Sequence, residues 1–213
     1  MAIDERSIER ISLSASIPLG QVEYVFPAFF DLCGSTDFKS YCQSHRIPDG
    51  VWIERQLIFL HRIITTVQRF QGHVVKTIGD EVMAYFPKTI KARDILRCAT
   101  DAHSLFSNIS RYDNETWRIR LKVSIDYGPV YDENFGLIGP GSIDPVGLVV
   151  DRCARLNHEA QPNEVTFSSS VFAQLDADHQ LTHSRSKEEK ELKGVGATEF
   201  YRILVGIPNI GAA

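Results

Sequence analysis

The chain has 213 residues, 43% hydrophobic and 23% charged, with 23 basic and 27 acidic side chains and a formal net charge of −4. That length and balance suit one folded domain with a substantial core. The acidic balance argues against a nucleic-acid binder that relies on general electrostatics. No apolar run is long enough to span a bilayer. The opening stretch Met1–Arg6 lacks the basic-then-apolar pattern of a secretory signal. Cys33, Cys42, Cys98 and Cys153 have no C-x-x-C spacing and read as reduced thiols, mostly core fillers, of a cytoplasmic protein.

Residues 1–21 form an N-terminal segment without a motif, in which Ser7–Leu13 is compatible with a short helix and Pro18-Leu19-Gly20 marks a break. Residues 22–31 are predicted to be a central strand by their continuous apolar character. Tyr24 lies an odd number of residues before Asp31, so a regular strand points them to opposite faces. Pro27 predicts a bulge or an edge position. Gly34-Ser35-Thr36 opens a helix, with Ser35 or Thr36 as N-cap. N–H groups at such a start attract phosphate, although an ordinary capped helix reads the same way.

Pro48-Asp49-Gly50 separates this helix from another over 51–71, with Ile53, Leu57, Leu60, Ile64 and Val67 as its core stripe and Gly72 as its stop. His61 on it reads as a packing or surface histidine. Residues Val74–Phe86 read as a hairpin. Val74, Lys76 and Ile78 share one face of its first arm, and Val82, Ala84 and Phe86 share one face of the second. Gly79 supplies the turn and puts Asp80 at its tip. Asp31 and Asp80, at the ends of neighbouring strands, have the chemistry to clamp hard cations such as Mg²⁺ or Mn²⁺.

Residues 88–109 form an amphipathic helix with Ile95, Cys98, Ala102 and Leu105 inward, and 117–126 alternates Ile119, Leu121, Val123 and Ile125 against Arg118, Arg120, Lys122 and Ser124 as a strand buried on one face. A second hairpin begins at Gly128-Pro129-Val130 and runs through 135–141. Asp144–His158 is predicted as a helix. Asp144, Asp151 and Arg155 fall within about 40° of one another on it, at ~3.6 residues per turn, while Val149, Cys153 and Leu156 pack. A strand at 164–167, a short helix at 168–175 and a closing hairpin over 181–204, with Lys193 in its glycine-rich turn, complete the domain; 206–213 reads as a frayed tail. The alternation predicts an α+β sandwich of helices over a mostly antiparallel sheet.

The run Phe30-Asp31-Leu32-Cys33-Gly34-Ser35-Thr36, followed by Lys76-Thr77-Ile78-Gly79-Asp80 and by Asp144-Pro145-Val146-Gly147 with Asp151 and Arg155, resembles the three motifs of the class III nucleotidyl cyclase catalytic domain, in their order. The resemblance covers roughly 22–205. It implies a ferredoxin-like class III cyclase fold, two Mg²⁺ or Mn²⁺ ions and a homodimer with its active sites at the subunit interface. Asp31, Asp80 and the Leu32 carbonyl would hold the metals. Gly34, Ser35 and Thr36 would cradle the phosphates, and Lys193 would hold the terminal ones, unless it merely joins the solvated basic stretch of Arg185, Lys187 and Lys190. Arg155 would stabilise charge on the reacting phosphate; an i,i+4 surface pair with Asp151 is the competing reading. Position 151 departs from the pattern, in which an asparagine orients the ribose.

Cyclisation needs in-line attack of the ribose 3′-oxygen on the α-phosphorus with loss of pyrophosphate, a reaction two cations assist. Lys76 and Asp144 occupy the positions that read adenine in the family's adenylate cyclases, which argues for ATP and cyclic AMP. The opening Asp31–Lys39, Asp151, Tyr24 and the small architecture look more like the bacterial pyrimidine cyclases of anti-phage signalling (the Pycsar type). That reading implies UTP first and CTP next, with Tyr24 filling space a purine would need. Two non-cyclase readings stand beside it. One is a cyclase-like regulatory module, kept open by Asp151; the other is a polymerase-like palm, disfavoured by the lack of a basic channel.

Overall fold

The computed structural model describes residues 22–106, 109, 117–132, 144–183 and 186–206. The segments 1–21 and 207–213, and most of the second predicted hairpin's loop, lie outside them. Among the described residues nine strands form one sheet: β1 (Val22–Leu32), β2 (His73–Ile78), β3 (Glu81–Pro87), β4 (Leu121–Ile125), β5 (Gly128–Asp132), β6 (Pro145–Val146), β7 (Glu164–Ser168), β8 (Lys187–Leu192) and β9 (Gly196–Leu204). The main order is β2-β3-β1-β4-β7-β9-β8, with β5 on β1 and β6 on β5. Every pairing is antiparallel except β4 with β7. The helices are α1 (Ser35–Ser44), α2 (Asp49–Arg69), α3 (Ala92–Ser104), α4 (Leu148–Glu159), α5 (Ser169–Phe172) and α6 (Ala177–His183). This is the expected α+β architecture; α6 has no counterpart in the sequence reading.

β1 is the spine, and its period of two sorts the core. Phe26, Ala28 and Phe30, with Val82, Ala84 and Phe86 of β3 and Val123 and Ile125 of β4, are fully buried in the main core with Phe59, Ile63 and Val67 of α2 and Ile95 and Cys98 of α3. The other face carries Phe29 and Met83, which pack with Cys153 of α4. Asn157 Nδ2 donates to the Phe29 carbonyl at 3.2 Å and Cys153 Sγ to the Pro27 carbonyl at 3.3 Å, which seats α4 across the strand. Burying a side chain of Phe59 or Ile63 size contributes about 1.5–3 kcal/mol, so this spine carries much of the stability.

Pro27 neither bulges the strand nor marks an edge. Its pairing with β3 runs unbroken from Val25 to Asp31. On the other side it faces Asp126, in the gap between β4 and β5, where the Asp126 N–H donates to its carbonyl at 3.1 Å. The reciprocal bond needs the donor proline lacks, so the ladder is open there.

Other boundaries move for equally local reasons. The buried residues of α2 are Arg55, Phe59, Ile63, Thr66 and Val67, whereas Ile53 and Leu57 are 40% and 59% exposed. The apolar arc of this helix is broad, and the sheet takes its centre rather than the 53–57–60–64 edge. Gly72 does not supply the left-handed turn; Gln71 does, with φ 62°. A Cβ at Gly72 would lie 2.5 Å from Phe86, so that glycine is there for close packing. The arm β2 is mostly exposed, and its alternation slips at a bulge between Val74 and Lys76. The polar face of β4 is buried at Ser124, which has 0% exposure and whose hydroxyl meets Cys153 Sγ at 3.5 Å beneath α4. Among the described residues no helix is long and apolar enough to cross a membrane.

Candidate active site

Two left-handed glycines shape the acid-bearing turns. Gly34, with φ 69°, is the N-cap of α1, and no side chain caps that helix. Ser35 and Thr36 therefore lie inside the first turn rather than at the cap, and Ser35 is buried. Gly79, with φ 65°, closes the β2–β3 hairpin beside Asp80. A Cβ at either glycine meets nothing within 4 Å, so backbone angle and not space demands glycine.

One helix ties both turns down. Gln56 Nε2 donates to the Gly79 carbonyl at 2.9 Å, and the guanidinium of its neighbour Arg55, 2% exposed, donates to the Cys33 carbonyl at 3.4 Å. Neither residue drew notice in the sequence, because their meaning depends on where α2 crosses the turns.

Asp31, Leu32, Gly34, Ser35, Thr36 and Asp80 share a cavity of about 610 Å³, with Lys122 and His158 also on its wall. The structure thus brings together the residues expected to hold metal and phosphate. Asp31 faces Glu81 across β3 and Lys122 across β4, so the three side chains form one row on the same sheet face. Lys122 Nζ approaches Asp31 Oδ2 at 3.2 Å. Burial pushes the Asp31 carboxyl above its ordinary range, Lys122 pulls it back, and the charge of Asp80 adds to the rise. Burial, then the charges of Asp31 and Asp80, push Glu81 up to about 7. Like charges directly opposite on neighbouring strands are unfavourable, so this corner holds more negative charge than it neutralises.

A second cleft, of about 510 Å³, opens on the same sheet face beside the N-terminal half of α4. Phe29, Ile78, Met83, Val150 and Ala154 line its apolar walls, and Lys76, Glu81, Asp144 and Asp151 supply its polar groups. Lys76 Nζ meets Asp144 Oδ2 at 2.6 Å across 68 residues of sequence. Asp144 is not on the helix, which starts only at Leu148; β6 and Gly147 intervene. The helical-wheel argument therefore holds for Asp151 and Arg155 alone. Both are exposed on the outer side of α4, in a stripe with Leu148 and His158, while Val149, Cys153 and Leu156 are buried. No ion pair joins Asp151 to Arg155 among the described residues, so the surface-pair reading loses its basis.

Tyr24 lies elsewhere. The unbroken register of β1 points it away from Asp31; its ring sits 5.8 Å from that of Tyr127 and lines a third cavity with Tyr131 and Arg152. It does not line the Lys76–Asp144 cleft. Lys193 is exposed in the β8–β9 turn, at the opposite end of the sheet from the β2–β3 hairpin. Neither residue joins the two clefts within one copy of the chain.

The acid corner suits a divalent cation. Among the described residues no group of three or more acid, histidine or cysteine side chains could hold a metal unaided. Two carboxylates and a carbonyl, with substrate phosphates completing the shell, is how Mg²⁺ is commonly bound. Asp31, Asp80 and Leu32, which line one cavity, fit that role. An α+β domain with two acids in one cavity and a second cleft on the same sheet face is the class that the fold and the site define.

Comparison with known proteins places the chain within that class. It belongs to the adenylate and guanylate cyclase catalytic domain family, which it matches over residues 18–205. It is 26% identical over 168 residues to a cytidylate cyclase of Escherichia coli, covering 71% of this chain and 35% of that one. A cytidylate cyclase of Staphylococcus aureus is 20% identical, over 90% of this chain and 45% of that one. The chain thus spans less than half the length of these curated relatives. Among solved structures it resembles the guanylyl cyclase Cya2 with a TM-score of 0.73, at 16% identity over 90% of this chain and 98% of that one. It also resembles the GTP-bound guanylate cyclase domain of RhGC from Catenaria anguillulae, with a TM-score of 0.69 at 17% identity, over 87% and 99%.

Proposed function

We propose that this chain cyclises a pyrimidine nucleoside triphosphate to its 3′,5′-cyclic monophosphate and pyrophosphate, acting in the cytoplasm as a homodimer with two Mg²⁺ or Mn²⁺ ions, and that the product is a second messenger in bacterial antiviral defence. The observation that carries the reading is the split of its polar groups into two half-sites. Asp31 and Asp80 stand in one cavity, and Lys76, Asp144 and Asp151 in another. Each half lacks what the other has, so a second copy completes each site. The sequence favours UTP with CTP next; the two relatives described above, both cytidylate cyclases, move CTP ahead.

In this reading Asp31, Asp80 and the Leu32 carbonyl hold the ions, which, when bound, acidify the ribose 3′-hydroxyl and neutralise the triphosphate. The N–H groups of Gly34, Ser35 and Thr36 receive phosphate oxygens at the start of α1. Lys122, released from Asp31, adds a cation beside them. From the second copy, Arg155 faces the charge that develops on the α-phosphate, Asp151 accepts from ribose hydroxyls, Lys193 meets the terminal phosphates, and Lys76 and Asp144 meet the base. Cyclic AMP synthesis is the second reading, favoured by the 2.6 Å Lys76–Asp144 pair in the positions that read adenine in the family's adenylate cyclases.

The test is to incubate purified protein with Mn²⁺ and each of ATP, GTP, CTP and UTP, and to resolve the products by chromatography and mass. Cyclic CMP or cyclic UMP is the expected product. Cyclic AMP would replace the pyrimidine and defence readings. No product from any nucleotide, with a dimer confirmed, would favour a regulatory module.

A further inference from the structure

His158 lines the acid cavity, and the cyclase reading leaves it without a task. It stands in the last turn of α4 and shares that cavity with Asp31, Asp80 and the Gly34–Thr36 turn. The helix passes both clefts of one copy. Val150, Asp151 and Ala154 line the cleft that holds Lys76 and Asp144, whereas His158 lines the acid cavity. Ala160, Gln161 and Pro162, just beyond the helix, line it too. The cavity is thus bounded by the Gly34 turn and by the end of α4.

A histidine among acids can be a metal ligand, a partner for an acid or a donor to something that enters. Among the described residues no group of three or more acid, histidine or cysteine side chains could hold a metal, so His158 does not join Asp31 and Asp80 as a third ligand. Nor is it tied to an acid: among the described residues it makes no hydrogen bond and no ion pair. It acts on Asp31 through charge alone. Burial pushes that carboxyl up, Lys122 pulls it down, Asp80 adds to the rise and His158 to the pull. The other basic side chain of the cavity, Lys122, is engaged with Asp31 at 3.2 Å. His158 is therefore the basic group still free to meet a ligand there. An imidazole keeps an N–H donor whether or not it is protonated, and an anionic oxygen is the acceptor that strengthens such a bond most.

We propose that His158 is a substrate-binding residue of the phosphate tail: its imidazole N–H donates to an oxygen of the terminal phosphates, from the same copy that supplies Asp31 and Asp80, and stays on pyrophosphate as it leaves. The inference rests on the cyclase reading for what enters the cavity. When the ribose 3′-oxygen bonds to the α-phosphorus, the bond from that phosphorus to the bridging oxygen breaks and pyrophosphate takes the electron pair. His158 meets the growing charge with a hydrogen bond and gives up no proton.

The experiment measures binding of inorganic pyrophosphate to the full chain in Mn²⁺ by calorimetry, for the wild type, His158→Ala and His158→Lys. His158→Ala weakens pyrophosphate by about tenfold or more, the worth of one hydrogen bond to a charged group. His158→Lys, which restores a donor, recovers most of that loss. Binding of Mn²⁺ alone is the same in all three, and thermal melting shows that both variants fold. Unchanged pyrophosphate binding in folded His158→Ala overturns the inference and leaves the cyclase reading standing. Weaker Mn²⁺ binding in that variant before any phosphate is added also overturns it, since His158 would then serve the metal. So does a His158→Lys chain no better than His158→Ala, which would make the role one of shape. A wild-type chain that binds no pyrophosphate overturns it as well. A wild-type chain that binds pyrophosphate through His158, yet makes no cyclic nucleotide from ATP, GTP, CTP or UTP, supports the phosphate contact and removes the cyclase reading.

Discussion

Two carboxylate-bearing clusters on the same face of the sheet, one built on Asp126 alone and the other on three acids, serve opposite ends. At the β4–β5 junction Asp126 is fully buried, yet it has a partner for each oxygen. Arg152 Nε donates to Oδ2 at 2.6 Å, Arg152 also donates to Oδ1 at 2.9 Å, and the Tyr127 N–H and the Ser168 hydroxyl donate to Oδ1 as well. Burial pushes this carboxyl up, and the arginine and the two donors pull against it. At the other end of β1, Asp31, Asp80 and Glu81 crowd together with Lys122 as the nearby cation. The first cluster pins the first turns of α4 to the sheet. The second leaves negative charge unneutralised, which costs stability and creates demand for a ligand. Full satisfaction marks structure here, and deliberate shortage marks the site.

Substitutions at the two ends should separate these roles. Asp31→Asn or Asp80→Asn is expected to lower cyclase turnover by more than about a hundredfold, since even the outer partners of metal ligands are worth ~10–100-fold. The same changes should leave the urea midpoint equal or higher, because they relieve repulsion. Asp126→Asn should do the reverse, lowering unfolding free energy by about 3–5 kcal/mol by leaving the part-buried Arg152 without its partner. Its specific activity per folded molecule should change little. If Asp126→Asn left stability intact, the division between the clusters would fail.

The smallest effect is a pH slope. Glu81 rises from 4.5 to about 7 on folding, so the native chain binds its proton more tightly than the unfolded chain. Stability of the metal-free protein should therefore be highest at the acid end of this range and fall as pH rises through about 7. Glu81→Gln should flatten that slope in melts run with EDTA. A slope identical in the variant would mean that Glu81 does not carry the surplus charge.

Much of this was readable from the sequence. The apolar runs place β1, β3 and β4, and the glycine turns place Asp31 and Asp80 at neighbouring strand ends, where both line the same cavity. Period alone does not say which edge of the broad apolar arc on α2 faces the sheet: Ile53 and Leu57 fall on the predicted stripe yet are exposed. It could not place Asp144 off the helix either, since Pro145–Val146 forms a short strand by pairing with β5, a contact remote in sequence. The odd offset of Tyr24 from Asp31 already places the two on opposite faces of β1, and Tyr24 lines a cavity apart from the Lys76–Asp144 cleft. Glu81, Lys122 and Arg55 were missed because a charged residue next to an apolar run carries no sign of what lies across the sheet from it.

The account depends on two half-sites that meet only between two copies. The most direct measurement mixes two inactive proteins, one carrying Asp31→Asn with Asp80→Asn and the other carrying Arg155→Ala. In a mixed dimer one of the two sites keeps Asp31 and Asp80 from one copy and Arg155 from the other. Cyclase activity should return on mixing, while either protein alone stays silent. A mixture as inactive as its parts, with mixed dimers confirmed by mass, would contradict the shared site.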